Sequence, residues 1–130
     1  MSKTTLGFIF SGMVYLTIGV TLGALFFILP QTRALATVHG HLNLVGFVMF
    51  LIFGVAYHIL PRFRGRPLHS EGLAWFGFWL ANIGLAGMLI LTAVGAFQPL
   101  GPLTALQAAF GAALAVSVYL FVYNMVRTLA

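Results

Sequence analysis

Four long stretches of the chain are apolar and free of charge in their interiors, at about residues Leu6–Leu29, Leu35–Leu60, Leu73–Phe97 and Leu103–Val126. Each holds the ~20 residues that a helix needs to cross a hydrocarbon layer of ~30 Å. The polar interruptions are Pro30-Gln31-Thr32-Arg33, the stretch from Pro61 to Glu71, and Gln98-Pro99-Leu100-Gly101-Pro102. All contain the Pro or Gly that stops a helix. Because the interruptions are short, consecutive helices must run antiparallel as neighbours. The pattern predicts an all-α, polytopic membrane protein: one domain over residues 1–130, with four transmembrane helices.

Composition supports this reading and removes several chemistries. With 62% hydrophobic and 5% charged residues, a water-soluble domain is excluded. Glu71 is the only acid, so paired-carboxylate hydrolysis has no side chains to use. The absence of Cys removes disulfides, thiolate nucleophiles, iron–sulfur clusters and covalent haem attachment. The formal charge of +5 reads as membrane topology rather than as a nucleic-acid surface. Lys3, Arg62, Arg64, Arg66 and Arg127 fall on one side and Arg33 alone on the other, which predicts cytoplasmic N and C termini. Pro30 and Arg33, rather than small residues of a cleavage site, follow the first run, which is therefore expected to stay as a spanning helix. Gly12, Gly19 and Gly23 in the first helix, and Gly84 and Gly87 in the third, mark close helix packing. Trp75 and Trp79 read as interfacial anchors.

The chemically informative stretch is Thr37-Val38-His39-Gly40-His41-Leu42-Asn43, which runs on through Gly46 and Gly54 to Tyr57-His58 and Pro61-Arg62. An imidazole inside an apolar helix is costly unless it has a partner, so its function is in question from the start. At about 100° per residue, His39 and His41 point some 200° apart and cannot chelate one metal between them. Metal sites on a single helix use i, i+3 or i, i+4 spacing instead. The i, i+2 spacing suits two planar cofactors, one on each flank, and haem is the natural candidate because its iron accepts imidazole axially. Asn43 is expected either to orient an imidazole or to bond across helices, the second being favoured. His58 lies about 25 Å from His41 along the axis and reads as structural or proton-related. His69, in the basic turn, is expected to face solvent.

With His39-x-His41, Gly46, Gly54, Tyr57-His58 and Pro61-Arg62 at these intervals, the segment resembles the tenth helix of the catalytic subunit of haem–copper oxidases. The resemblance covers about 25 residues and is nearest to the C-type and nitric oxide reductase branch. It implies that His39 is an axial ligand of one haem and His41 of a second on the other flank. The family's catalytic subunit has twelve helices in three arcs of four, with ligand helices second in each arc. The chain therefore resembles a single arc, and three copies would rebuild the ring as a homotrimer with haem between subunits, a homodimer being the alternative. The copper centre of that family needs three further His, which this chain does not supply, so reduction of dioxygen to water is not expected.

The expected cofactor is non-covalent haem b held by His39 and His41, with Arg33 facing the propionates or anchoring the turn, and Gln98 and Gln107 as further donors. The favoured function is a membrane cytochrome b engaged in electron transfer, with donor and acceptor undetermined. The alternatives are a gas-binding haem sensor or reductase accessory protein with an open iron position, and a haem-free bundle in which the imidazoles only satisfy hydrogen bonds. The expected partners are membrane lipid and further copies of the chain, without nucleic acid, in a bacterial or archaeal cytoplasmic membrane.

Overall fold

The computed structural model describes residues 1–130 and is entirely helical. Four helices are long and apolar enough to cross a membrane: Lys3–Ile28, Pro30–Arg64, Glu71–Gly95 and Leu103–Leu129. Only 24 of 130 residues are buried, while Val14, Ile18, Ile52, Ile83 and Ile90 are among the many large apolar side chains left facing outward. In water that surface would drive aggregation; in a bilayer it is the lipid contact. The chain is an integral membrane protein.

The first helix starts three residues before its apolar run because the Ser2 side chain accepts a hydrogen bond from the Thr5 amide (3.2 Å) and caps the orphan donors there. The third helix begins in the same way, with the Ser70 hydroxyl accepting from the Leu73 amide (3.1 Å) and Glu71 in the first turn, where the helix dipole favours an acid. The first helix packs along the second and the third along the fourth. Phe8 joins the pairs. Its ring meets Phe50 and Phe78 edge-on, each at 5.2 Å, and Phe53 at 5.7 Å. Phe53 in turn stacks on Phe121 of the fourth helix at 3.7 Å. Farther along the bundle the Tyr15 hydroxyl donates to Asn82 Oδ1 (3.3 Å), the polar link between the first and third helices.

Of the expected breaks, the first is helical and the second is helical in its opening residues, Pro61–Arg64. Pro30–Leu35 forms a tight 3-10 turn rather than an open loop, and only Leu29 lies between it and the first helix. Pro at the first helical position costs nothing, since its missing N–H would have been an orphan there. At the other end the second helix runs through Pro61 to Arg64 and stops where Gly65 takes a left-handed conformation at φ 66°. A positive φ is tolerated by Gly and by few other residues, so Gly65 rather than Pro61 sets the end.

Within the second helix, Ala36–His41 is α-helical, Leu42–Met49 is a π-helix, and Phe50–Arg64 is α-helical again. A π segment accommodates extra residue per turn and re-phases everything beyond it. The faces of Ala36–His41 and Phe50–Arg64 therefore do not follow one wheel.

The basic turn is tied to the fourth helix by side chains. Asn124, fully buried, accepts from the Ser70 amide (3.0 Å) and donates to the Ser70 carbonyl (2.8 Å), and the Thr128 hydroxyl accepts from the His69 amide (3.0 Å). Without these side chains the His69 and Ser70 amides would have no partner beside the apolar bundle, whereas the Ser70 carbonyl also accepts from the Ala74 amide (3.2 Å).

The third and fourth helices come into backbone contact at Gly84, where a Cβ would lie 2.7 Å from the Leu114 amide nitrogen and 2.8 Å from the Phe110 carbonyl oxygen. Backbone cannot move aside as a side chain can. Gly84→Ala should destabilise the bundle by about 1–3 kcal/mol. Gly77→Ala, where the nearest neighbour is Leu120 Cβ at 3.9 Å, should be near neutral. Unfolding midpoints in mixed detergent measure both, and equal midpoints for the two variants would refute the packing account.

Candidate functional site

His39 and His41 occupy the last turn of the Ala36–His41 segment, before the π-helix re-phases the chain. Their 200° separation therefore holds locally, and the two rings lie in different environments.

His39 faces the first helix. Its Nδ1 lies 2.8 Å from the Gly19 carbonyl oxygen, and a Cβ on Gly23 would meet the ring at Cε1 at 2.7 Å. The Phe26 ring closes the notch edge-on at 5.3 Å. Gly19 and Gly23 do more than bring the helices together: the Gly19 carbonyl partners the His39 ring, and Gly23 leaves the space that ring fills. Any side chain at Gly23 would displace the imidazole.

His41 points away from the first helix. Its Nδ1 lies 3.0 Å from the carbonyl oxygen of Thr37, one turn back on its own helix. Beside it is a shallow groove of about 280 Å³ bounded by Thr37, Gly40, His41, Leu44 and Val45. A Cβ at Gly40 would meet nothing within 4 Å, so the surface next to the ring is flat and open.

The two sites share one chemical feature. A carbonyl oxygen can only accept, so each Nδ1 must be the protonated nitrogen and each Nε2 keeps its lone pair. Metal-binding imidazoles are commonly held this way, with the other ring nitrogen donating to a backbone carbonyl that fixes tautomer and orientation.

Asn43 departs from its expected cross-helix bond. Its Nδ2 donates to the His39 carbonyl oxygen (3.0 Å) and lies 3.3–3.4 Å from both ring nitrogens of His39, within one helix. The Leu42 amide donates to the same carbonyl. At the entry to a π-helix the i→i+4 pattern is interrupted, and a side-chain amide one turn on supplies the additional donor. Gly19 again makes room, since a Cβ there would lie 2.6 Å from Asn43 Oδ1.

Arg33 is exposed, and its Nε donates to the Phe26 carbonyl (3.3 Å). It thereby holds the residue whose ring covers His39. Gln107 Nε2 donates to Thr92 Oγ1 (2.9 Å), and Gln98 is exposed in the last turn. His58 accepts from Arg62, and His69 is exposed with its ring against Tyr123. The four histidines stand apart, and no three metal-binding side chains cluster.

The sequence matches the family described as Cytochrome C and Quinol oxidase polypeptide I over residues 3–130. The chain belongs to this family. The relationship anticipated from the histidine helix, to the catalytic subunit of haem–copper oxidases, is thus established across almost the whole chain. Over 47 residues the chain is 43% identical to the Cbb3-type cytochrome c oxidase subunit CcoN1 of Stutzerimonas stutzeri, a stretch that is 35% of this chain and 10% of that protein. The chain therefore spans a small part of the length of this oxidase subunit. No solved structure matches it.

The tautomer assignment is directly testable. Nitrogen-15 spectra of histidine-labelled, haem-free protein, recorded well above the imidazole pKa, should show His39 and His41 both protonated at Nδ1. Gly23→Val should move the His39 signals and leave those of His41. An Nε2-protonated ring at either position would contradict the geometry.

Proposed function

We propose that this member of the polypeptide I family is a membrane cytochrome b that binds non-covalent haem through His39 and His41 and transfers electrons. The observation that carries the reading is the paired tethering of the two imidazoles. Each gives its Nδ1 proton to a backbone carbonyl, of Gly19 and of Thr37, which leaves the Nε2 lone pair open at His41 and, at His39, facing only the Asn43 side-chain amide (3.4 Å), which a ligand would displace. Two imidazoles so oriented on opposite flanks of one helix match two cofactor faces.

The donor set fits haem. Bound haem supplies a one-electron redox centre at iron. The chain's own residues orient the imidazoles, with the Gly23 notch and Phe26 restraining His39 and the Thr37 carbonyl restraining His41. Arg33 spends one donor on Phe26 and retains others for a propionate at this end of the bundle. Outside His39 and His41 the remaining histidines are His58 and His69, too few for a three-His copper centre, so reduction of dioxygen to water by the oxidase mechanism is not part of the proposal.

A homotrimer follows from the same arrangement. Opposed imidazoles on one helix would give each subunit one ligand for each of two neighbours once the His39 ring turns out of its own chain's notch, and a three-fold ring would bring that ring beside the His41 flank of the next copy. A two-fold axis would pair like with like and use only one flank.

The inequality of the flanks supports a second reading. The His39 ring is held in its own chain's notch, whereas His41 opens onto the groove. If His39 stays in the notch, His41 alone would hold the haem, whose iron would then supply gas binding.

Spectra separate the two. Bis-imidazole haem should give sharp low-spin bands that carbon monoxide does not shift, and either His39→Ala or His41→Ala should abolish them while His58→Ala does not. In the gas-binding case the Soret band shifts with carbon monoxide, and only His41→Ala removes haem. Folded protein made with adequate haem supply that shows no Soret band would exclude both.

Native mass spectrometry in detergent addresses assembly. Three chains with haem retained are expected, and a dominant two-chain species would rule out the trimer while leaving the ligands in place.

A further inference from the structure

The end of the bundle opposite the histidine pair holds a polar cleft that the haem proposal does not use. It has a volume of about 240 Å³ and lies where the second helix ends and the third begins. Its lining includes Thr5, Tyr57, His58, Arg62, Arg66 and Glu71. Thr5 and Tyr57 are buried and form its floor, while Arg62 and Arg66 are exposed at its mouth.

Charge in the cleft is unbalanced. Two guanidiniums face one carboxylate, Glu71, which is also the only acid in the chain. The hydrogen bond that Arg62 donates goes to His58, whose neutral imidazole accepts it without cancelling the positive charge. A guanidinium presents five donors in a planar fork and pairs in bidentate fashion with phosphate. The cleft therefore matches a singly charged phosphate with polar groups beneath it.

Its position selects the source of that phosphate. Arg62 closes a membrane-spanning helix, at the level where lipid headgroups lie. It follows Val55 by seven residues, about 20° away on the helical wheel. Val55 belongs to a groove of about 390 Å³ lined only by Leu51, Ile52, Val55, Ala56, Ile59 and Leu60. A free phosphate would use the cleft alone. A phospholipid uses both, with its phosphodiester between Arg62 and Arg66 and an acyl chain along the second helix.

We propose that this cleft is a binding site for the headgroup of an anionic phospholipid. A zwitterionic lipid would bring a choline or ethanolamine cation towards two arginines, so the site discriminates by charge.

The test is native mass spectrometry of the full chain in detergent, with phosphatidylglycerol or phosphatidylcholine of identical acyl chains added in turn. Phosphatidylglycerol should be retained at least about tenfold better, the effect expected of one charge-assisted hydrogen-bond pair. The double variant Arg62→Gln/Arg66→Gln should lose that preference. Arg64→Gln/Arg127→Gln removes the same charge from the same end outside the cleft and should keep it. Circular dichroism confirms that each variant is folded, and Arg62→Lys, which keeps charge without the fork, should lose part of the preference if the double variant fails to fold. Equal losses in the two double variants would mean diffuse attraction and overturn the site. Inorganic phosphate binding to the cleft with no preference between the two lipids would overturn the lipid assignment.

Discussion

A polar ring inside an apolar helix must find a hydrogen-bond partner or be expelled, and much of this structure is arranged around that demand. His39 and His41 lie too far along the second helix to reach bulk water easily, and each imidazole satisfies Nδ1 on a backbone carbonyl. For His41 the carbonyl of Thr37 is one turn back on the same helix. For His39 it belongs to Gly19 on the first helix, so that helix must come close. Gly19 and Gly23 allow the approach because neither carries a side chain in the space that Asn43 and the imidazole occupy.

The approach also bears on the backbone. Asn43 turns back to the His39 carbonyl at the point where the second helix changes to π geometry, and three residues later Gly46 lies so close to the first helix that a Cβ would meet Tyr15 Cβ at 2.6 Å. Regular α geometry carried through Leu42–Met49 would rotate Phe50, Phe53 and Tyr57 away from their present partners. The π segment permits one end of the helix to present imidazoles on two flanks while the other end inserts its aromatics around Phe8. Placing two imidazoles and packing the aromatic core are thus two demands on one helix, reconciled by its irregular centre.

The two ends of the bundle differ in electrostatic character. At the histidine end Arg33 is the sole cation and is tied to the Phe26 carbonyl. At the other, Lys3 sits over the Trp75 ring at 4.6 Å, and Arg62 and Arg66 line one cleft with Glu71. Cation–aromatic contact and interfacial arginines both favour a boundary between hydrocarbon and water. Both features suit an integral membrane member of the polypeptide I family, and the opposite end carries the residues proposed to hold the cofactor.

Hydropathy alone was enough to find four membrane-spanning helices, because burial in hydrocarbon demands about 20 apolar residues whatever their neighbours are. The i, i+2 spacing alone was enough to put His39 and His41 on opposite flanks, since backbone geometry fixes that angle within one turn. What surrounds each ring was decided only in three dimensions. Asn43 bonds within its helix rather than across, Gly19 and Gly23 serve an imidazole as well as a packing seam, and Asn124 and Thr128 clamp a turn more than fifty residues away. Pro61 also misleads when read alone, because the helix ends at Gly65, where the backbone reaches a positive φ. Composition and spacing report what a residue must avoid; which partner it takes depends on the other helix that comes within hydrogen-bond distance, and only the packed bundle determines that.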